Sequence, residues 1–348
     1  MFSLMHRLLI ITQKVDESDQ LLGFFIAWIQ RFAQQFAHVH VLCLQKGSYK
    51  LPNNVSVESM GKDRGYSKAR QLFEFYRFII AQRREYDVVC VHMNPIWAAL
   101  GGLVWRIMHK RVYLWYTHKA VTMRLRIAHA MVHRVFSASP ESFRLPSTKV
   151  MFTGHGIDTD VFSPGDEQLR SKDSLLTVGR IAPVKNLEVL VDAMSLLAQQ
   201  GSLLRVVVVG EAALDVDRAY EDLIRKRINN AGIVGRFVFA GKHKNDEVRT
   251  FYRECALFVH MSRTGSLDKT LLEAMACGAR VVSSNDAARA FLPPELIFDG
   301  ANQGDLARGI NRALSELPAP SLRAYVVEHH NLDTLIQKLS KEMISVCR

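Results

Sequence analysis

The chain alternates between short apolar runs and longer segments in which apolar residues recur every three or four positions. In the first half, the short runs predict strands at Leu8–Thr12, His38–Leu44, Val55–Met60, Asp87–Met93, Val112–Tyr116, Arg134–Ser137 and Lys149–Thr153. The periodic segments between them predict helices at Leu21–Phe36, Ala69–Arg84, Ile96–His109, Thr122–Val132 and Glu141–Arg144. Strands that alternate with helices indicate a mostly parallel sheet covered on both faces.

The second half repeats this pattern. Strands are predicted at Ser174–Val178, Leu204–Val209, Phe237–Ala240, Leu257–Met261 and Val281–Ser284, and helices at Leu187–Gln200, Tyr220–Ala231, Asp246–Cys255 and Leu332–Val346. Residues 164–173 contain a Pro-Gly pair and mixed charges, which are typical of a linker. We therefore expect an α/β chain with one domain at 1–163 and a second at 174–329. The segment 330–348 is expected to pack back on the first domain.

The stretch Thr264–Gly278 reads T-G-S-L-D-K-T-L-L-E-A-M-A-C-G and lies between the last two predicted strands. Asp268 is placed to cap a helix that ends at Gly278. A strand, a turn of small residues and a helix N-terminus form an anion site, because backbone N–H groups and the helix dipole point at one spot. Glu273 lies one turn further in, where its carboxylate can bind two neighbouring hydroxyls, as on a ribose.

The segment L-L-E-A-M-A-C-G-A-R-V-V, together with V-G-R-I-A-P-V-K-N at Val178–Asn186, resembles glycosyltransferase family 4. The resemblance covers nearly the whole chain and is strongest from Leu175 to Ser284. It implies the GT-B fold, with two Rossmann-like domains facing across a cleft and a nucleotide-sugar donor bound there. The family has two glutamates eight positions apart. Glu273 matches the second, which implies the ribose contact, whereas Gly265 departs from the first, which serves the sugar.

Two cations follow the strand-end glycine Gly179. Arg180 offers a planar fork and Lys185 a point charge, and together they suit a diphosphate. The resemblance implies that they bind the donor diphosphate and neutralise the charge that develops as it leaves, a role that can replace a metal ion. We therefore expect neither a metal nor a cofactor. A rival interpretation concerns Lys269 and Glu273, which could form an i,i+4 surface pair instead.

The resemblance assigns further donor contacts in the second half. The nucleobase is expected beside Gly241, Lys242 and His243, held mainly by backbone groups. The phosphate and sugar are expected beside the backbone of Gly265, Ser266, Leu267, Asp268, Lys269 and Thr270.

Two candidates lie in the first half. His118 follows the strand Val112–Tyr116, and the resemblance implies that it hydrogen-bonds a sugar hydroxyl as a neutral group. Gly23 is the sole glycine in the first turn, where the family has a glycine pair beside the donor phosphates. No G-x-G-x-x-G follows the first strand, which argues against a dinucleotide cofactor.

The net charge of +11 is uneven along the chain: residues 1–150 carry 21 Lys and Arg against 9 Asp and Glu. The first half is therefore expected to face an anionic partner, such as a phospholipid surface, a phosphorylated acceptor or nucleic acid. A purely solubilising charge is the alternative. Aromatic and basic residues intermix around Lys68–Arg84, which fits a lipid surface, although an ordinary half-buried helix explains the same pattern.

Composition, cysteine content and the length of the apolar runs argue against a disordered, a disulfide-rich and a membrane-spanning protein. Hydrophobic residues make up 48% of the chain and charged residues 23%, which is a globular composition. Five cysteines without a C-x-x-C pair suit a reducing cytosol. No signal peptide stands out after Leu8–Thr12, and the apolar run Ile96–Val104 is shorter than the roughly 20 residues of a spanning helix. We expect a cytoplasmic protein that is soluble or peripheral on the inner face of a membrane.

Three metal-like patterns are discounted. His129 and His133 have a ligand-compatible spacing of four but no acidic partner in the expected place. The D-x-D triplets at 158–160 and 215–217 resemble the metal motif of glycosyltransferases with the other major fold, and triplets of this kind arise often by chance.

The resemblance thus implies a metal-independent hexosyltransferase that moves a sugar from a nucleoside diphosphate to an acceptor hydroxyl with retention. Synthesis of envelope glycans or glycolipids is the expected setting, with a lipid-linked or phosphorylated acceptor. A catalytically silent subunit of the same fold is the main alternative, motivated by Gly265. A sugar-nucleotide epimerase is a lesser one. A nucleic-acid-binding protein, suggested by the basic first half, lacks a recognisable module, and no specific nucleic acid is expected.

Overall fold

The chain forms two compact units in the computed structural model, which describes residues 6–19, 21–262, 265–315 and 320–345. Unit 1 extends to Gly156 and includes the chain from Asn331 onward. Unit 2 is Ile157–His330, so that residues 164–173, which the sequence suggested as a linker, group with unit 2. Each unit contains one parallel sheet with helices around it, as the alternating pattern predicted.

Unit 1 has a sheet in the order β3-β2-β1-β4-β5-β6-β7, and every pairing is parallel. Its strands are β1 Arg7–Val15, β2 His38–Lys46, β3 Val55–Ser59, β4 Val88–His92, β5 Arg111–Trp115, β6 Arg134–Ser137 and β7 Val150–Phe152. Its helices are α1 Phe25–Ala33, α2 Lys68–Ala81, α3 Pro95–Ile107, α4 Met123–Met131 and, from the C-terminal segment, α11 Leu332–Ser345. The prediction of a helix at Glu141–Arg144 is wrong, because this region forms only a single 3₁₀ turn, Pro140–Ser142.

The central strand β1 explains why its sequence is a continuous apolar run. Leu8 and Ile10 point into a core shared with α1 and α11, whereas Leu9 and Ile11 point into the opposite core beneath α2, α3 and α4. All four side chains are fully buried. A strand covered on both faces has no polar face to present, so the alternation typical of half-buried strands is absent.

The glycine pair Gly101-Gly102 in α3 allows close packing. A Cβ atom on Gly102 would lie 2.4 Å from the Cβ atom of Met131, at the end of α4. A Cβ atom on Gly101 would lie 2.3 Å from the Trp105 ring. The two helices therefore pack against each other where α3 has no side chain.

Unit 2 has a five-stranded parallel sheet in the order β10-β9-β8-β11-β12. Its strands are β8 Ser174–Val178, β9 Arg205–Val209, β10 Phe237–Gly241, β11 Leu257–His260 and β12 Val281–Ser283. Its helices are α5 Leu187–Gln199, α6 Asp215–Asn230, α7 Val248–Glu254, α8 Lys269–Ala276, α9 Gln303–Ser315 and α10 Pro320–His330. The carboxyl ends of the strands lie along one edge, and the loops that leave them carry the candidate site residues of this unit.

Two helices, α9 and α10, were not predicted. In α9, Leu306, Ile310 and Ala313 are buried at helical spacing, but this stripe is short and sits among polar residues. Within the described ranges, no helix combines the length and the apolar composition needed to cross a bilayer.

Candidate functional site

The N-terminus of α8 is tied to the loop that follows β8. Lys185 Nζ lies 2.8 Å from Asp268 Oδ2, and the same oxygen lies 3.2 Å from His260 Nε2. Asp268 occupies the N-cap position, as predicted, but its side chain makes no capping hydrogen bond. Its carboxylate is engaged by Lys185 and His260 instead. Burial acts to raise the pKa of Asp268, but these two partners outweigh it and hold that pKa well below its usual range.

His260, at the end of β11, is a buried residue of this cluster that the sequence interpretation missed. Burial lowers the pKa of His260 despite the neighbouring carboxylate, so the ring is neutral near pH 7. A neutral ring that donates from Nε2 to Asp268 accepts at Nδ1, where Ser283 Oγ lies 2.9 Å away. Asn285 completes the support: its backbone N–H donates to Ser283 Oγ, and its side chain donates to the Ser266 carbonyl at 2.9 Å. The feature of the sequence that could have indicated His260 is its position as a polar residue at the end of a predicted strand.

Glu273 lies one turn inside α8 and is only 5% exposed. The Tyr252 hydroxyl donates to Glu273 Oε2 at 3.2 Å. Burial raises the pKa of Glu273, while Lys269 and hydrogen bonds from Asn245 and Tyr252 act in the opposite direction. Burial also lowers the pKa of Lys269 to about 8. The alternative of a surface Lys269–Glu273 pair is therefore wrong, because its carboxylate is in the interior.

Arg180 faces a buried carboxylate. Its Nε lies 3.5 Å from Asp217 Oδ2, and Asp217 is 2% exposed and accepts the Leu214 N–H at 3.2 Å. Asp217, the third residue of the D-x-D triplet at 215–217, thus orients Arg180 and caps the start of α6. Gly179, just before Arg180, has φ 136°, and a Cβ atom there would lie 3.0 Å from Lys185 Cε. The backbone conformation favours glycine here, and an added Cβ atom would also crowd the Lys185 side chain.

The predicted nucleobase contacts are the last residue of β10, Gly241, and the first two residues of the loop that follows, Lys242 and His243. Gly241 has φ 76°, and its carbonyl accepts the Gly210 N–H at 2.8 Å, which joins this loop to the end of β9. Lys242 Nζ lies 4.0 Å from a carboxylate oxygen of Glu211. His243 Nδ1 lies 3.5 Å from Glu247 Oε2, and its Nε2 lies 3.2 Å from the Ala240 carbonyl.

The turn before α8 presents backbone more than side chains. Gly265 has φ 66°, a left-handed conformation that disfavours residues with a Cβ atom. The Leu267 side chain is buried in the core of unit 2. The Thr270 hydroxyl is buried without a hydrogen-bond partner among the described residues. Such an orphaned polar atom is uncommon in a folded protein and fits a position where a ligand contacts the helix start.

Three cations of this region each face a carboxylate within unit 2. Lys185 is paired with Asp268 and Arg180 with Asp217, and Lys269 interacts electrostatically with Glu273. An entering diphosphate would compete with the first two carboxylates for the same N–H donors. The arrangement can therefore bind an anion only if these pairs loosen or if the remaining donors of each cation are used.

The two candidates in unit 1 have simple local environments. His118 is exposed, and its Nδ1 accepts the Ala120 N–H at 3.1 Å, which makes Nε2 the N–H donor of the neutral ring. A Cβ atom on Gly23 would lie 2.6 Å from the Asp19 carbonyl oxygen and 2.9 Å from that of Glu17. The turn itself therefore requires glycine at this position.

The histidines that were discounted as metal ligands have local partners. His129 Nε2 lies 2.6 Å from Ser147 Oγ, and His133 Nδ1 accepts the Val112 N–H at 3.0 Å. Across the described ranges, no three His, Cys, Asp or Glu side chains are grouped so that they could hold a metal ion.

Comparison with known proteins finds a family model that matches most of unit 2. Residues 165–328 match the sequence model of the family described as glycosyl transferases group 1. The chain is 30% identical over 171 residues to the lipopolysaccharide core biosynthesis mannosyltransferase LpsB of Rhizobium meliloti, covering 47% of this chain and 46% of that protein. It is 31% identical over 189 residues to a D-inositol 3-phosphate glycosyltransferase of Mycobacterium sp. strain JLS, covering 50% of this chain and 41% of that protein. The chain therefore spans less than half the length of these curated relatives.

Solved structures share the fold along nearly the whole chain. The Anabaena protein HepE, crystallised in complex with UDP, superposes with a TM-score of 0.79 at 17% identity, covering 98% of this chain and 100% of that one. Sucrose-phosphate synthase from Thermosynechococcus elongatus superposes with a TM-score of 0.75 at 16% identity, covering 97% of this chain and 98% of that one. The chain has the GT-B fold, built from two Rossmann-like units with parallel sheets, and its residues 165–328 match the glycosyl transferases group 1 family.

Proposed function

We propose that this protein is a family 4 glycosyltransferase that transfers a hexosyl group from a nucleoside-diphosphate sugar to an acceptor hydroxyl, without a metal ion. The observation that carries the proposal is the Lys185–Asp268 contact of 2.8 Å, since it brings the cationic loop after β8 to the N-terminus of α8. A helix N-terminus with a nearby lysine and arginine is suited to a diphosphate. The group 1 family match over 165–328 covers both elements.

Each residue then has a specific role. Glu273 accepts hydrogen bonds from the ribose hydroxyls, and Tyr252 holds its carboxylate in place. Arg180 and Lys185 stabilise the negative charge that develops on the diphosphate as its bond to the anomeric carbon breaks and the acceptor oxygen bonds to that carbon, and the proton of the acceptor hydroxyl passes to an oxygen of the departing diphosphate. His118 donates from Nε2 to a sugar hydroxyl. Retention of the anomeric configuration is part of the proposal, by resemblance to family 4.

The donor loops have the remaining roles. The backbone of Gly241, Lys242 and His243 contacts the nucleobase. The turn that contains Gly265, Ser266 and Leu267 contacts the phosphate and sugar, together with the helix start at Asp268, Lys269 and Thr270. UDP is the first nucleotide to test, because HepE, a neighbour in fold, was crystallised with it.

The setting that we propose is envelope glycan synthesis at an anionic membrane surface, with a lipid-linked or phosphorylated acceptor. The mannosyltransferase LpsB is named for lipopolysaccharide core biosynthesis, which supports this setting. In unit 1, Leu103 and Ile107 of α3 are 60% and 70% exposed, and Arg106 lies between them. Exposed apolar residues beside cations suit a surface of anionic lipids.

The direct test is release or transfer of radiolabelled sugar from a panel of sugar nucleotides by the purified chain, with lipid extracts as acceptors. Hydrolysis or transfer that disappears in Lys185→Ala supports the proposal. An exposed arginine of α9, changed in Arg308→Ala, is the control and should leave the rate unchanged. A donor that binds without any turnover would contradict an enzymatic role.

That last outcome would favour a second candidate, a catalytically silent nucleotide-binding subunit. The specific observation behind it is Gly265, whose φ of 66° is strained for a glutamate. The turn is thus built differently from one that carries a glutamate at this position. The epimerase alternative predicts interconversion of donors without an acceptor, which the same panel detects.

A further inference from the structure

Unit 2 contains a cavity at the opposite end of its sheet from the candidate donor site. The cavity has a volume of about 730 Å³, and its lining includes residues just before β8, β11 and β12. Ala256 precedes β11, Arg280 precedes β12, and the segment 164–172 leads into β8. The donor loops leave the carboxyl ends of the same strands, so the two sites are separated by the length of a strand, about 15 Å for five residues.

The lining of this cavity is strongly basic. Among the described residues that line it are four cations, Arg170, Lys172, Arg280 and Arg323, and one carboxylate, that of Glu167. None of the four cations forms a salt bridge with another described residue, whereas Arg180 and Lys185, at the donor end of the sheet, are each paired with a carboxylate. Charges held together without counterions in a concave site attract anions strongly.

The arginines are held in place by backbone carbonyls. Arg170 Nη1 donates to the Cys255 carbonyl at 3.2 Å, and Arg280 Nη1 donates to the Leu314 carbonyl at 2.8 Å. Arg323 donates to the Ala276 carbonyl at the end of α8. Such bonds stabilise helix C-termini, which explains part of the cluster on structural grounds alone.

Helix capping does not account for the whole cluster. Arg170 and Arg280 each use only Nη1 for their contacts with described residues, and a guanidinium has five N–H donors. Lys172 is exposed and makes no hydrogen bond or ion pair with the described residues, yet it lines the same cavity. The fixed arginines therefore present unused, preoriented donors beside an exposed ammonium, which is a suitable combination for phosphate oxygens.

We propose that this cavity binds a phosphate-bearing small molecule, at a site separate from the candidate donor site. The ligand's phosphate contacts Arg170, Arg280 and Lys172, and the cavity has room for an attached organic group. Binding would link the segment 164–172 to the ends of α8 and α9. The site therefore offers a way for a phosphorylated metabolite to stabilise unit 2.

Inorganic pyrophosphate is the probe, measured by equilibrium dialysis against the full chain at fixed salt. The Lys185→Ala variant is used as background, so that binding at the candidate donor site does not obscure the result. We expect one pyrophosphate per chain, with affinity reduced at least about fivefold by Lys172→Glu. The matched control is Arg84→Glu, an exposed reversal in unit 1, which should change affinity less than about twofold.

Equal affinity in Lys172→Glu and its background, or no binding at millimolar pyrophosphate, would overturn the proposal and leave these cations with structural roles only. If Lys172→Glu fails to fold, Lys172→Gln replaces it, with an expected loss of about two- to threefold. These outcomes are independent of sugar transfer. Failure of the glycosyltransferase assignment appears instead as absent turnover of sugar nucleotides, whatever the pyrophosphate result.

Discussion

Lys185 donates to Asp268 across 2.8 Å, so the lysine assigned to the donor diphosphate is already paired with a carboxylate at the N-terminus of α8. The same carboxylate oxygen accepts from the buried ring of His260. Asp268 therefore occupies the kind of position that a phosphate oxygen would take, between a cation and a helix N-terminus. A donor diphosphate bound here, as proposed, must compete with an anion that belongs to the protein itself.

Competition of this kind predicts tighter binding when the internal anion is removed. Asp268→Asn should raise the affinity for nucleoside diphosphates about three- to tenfold, because Lys185 is freed and a like charge near the diphosphate disappears. Isothermal titration calorimetry measures this change. Asp286→Asn, which removes an exposed carboxylate of the same unit, is the control and should have little effect. A loss of affinity in Asp268→Asn would mean that its carboxylate contacts the donor directly.

The pKa of Lys269 predicts a dependence of stability on pH. Burial lowers this pKa from 10.5 to about 8. Between these two pH values Lys269 is therefore protonated in the unfolded chain and neutral in the folded one. The free energy of unfolding of the wild type should therefore rise between pH 8 and pH 10.5, relative to Lys269→Met, by about 1–3 kcal/mol. Urea titrations at several pH values measure the difference.

The matched comparison for this experiment is Lys226→Met, which changes an exposed lysine of α6. Its stability should follow that of the wild type across the same range. Parallel curves for Lys269→Met and the wild type would show that the Lys269 ammonium is solvated in the folded state.

The packing of α3 on α4 predicts a large cost for a small change. A Cβ atom added in Gly102→Ala would lie 2.4 Å from the Cβ atom of Met131, so one helix must shift. The expected loss is about 1–3 kcal/mol in the free energy of unfolding, measured by denaturant titration. Gly235→Ala, with no atom within 4 Å of its added Cβ atom, should be nearly neutral. Equal stability of both variants would contradict the close approach of these helices.

Most of the fold was predictable because parallel sheets leave a clear sequence pattern. Buried strands such as β1 are continuous apolar runs, and the amphipathic helices between them differ in period. The prediction failed where the pattern is short or mixed: α9 and α10 went unnoticed, and a single 3₁₀ turn was taken for a helix at Glu141–Arg144. The order of the strands in each sheet could not be predicted from local sequence patterns, because it depends on contacts between distant segments.

The candidate site was only partly accessible from the sequence. Glu273 was placed correctly on its helix, and its burial with Tyr252 follows from tertiary packing that no local motif encodes. The pairing of Lys185 with Asp268 joins residues 83 positions apart, so spacing gave no indication of it. The role of His260 was missed for the same reason, since a single histidine at a strand end has many possible environments.

We propose that unit 2 binds a nucleoside diphosphate through Glu273, Arg180 and the N-terminus of α8. The most direct measurement is a thermal-shift titration of nucleoside diphosphates and sugar nucleotides, UDP first, against the wild type, Glu273→Ala and Arg180→Ala. We expect a concentration-dependent rise in the melting temperature of the wild type that both variants lose while they remain folded. An undiminished shift in both variants would contradict it.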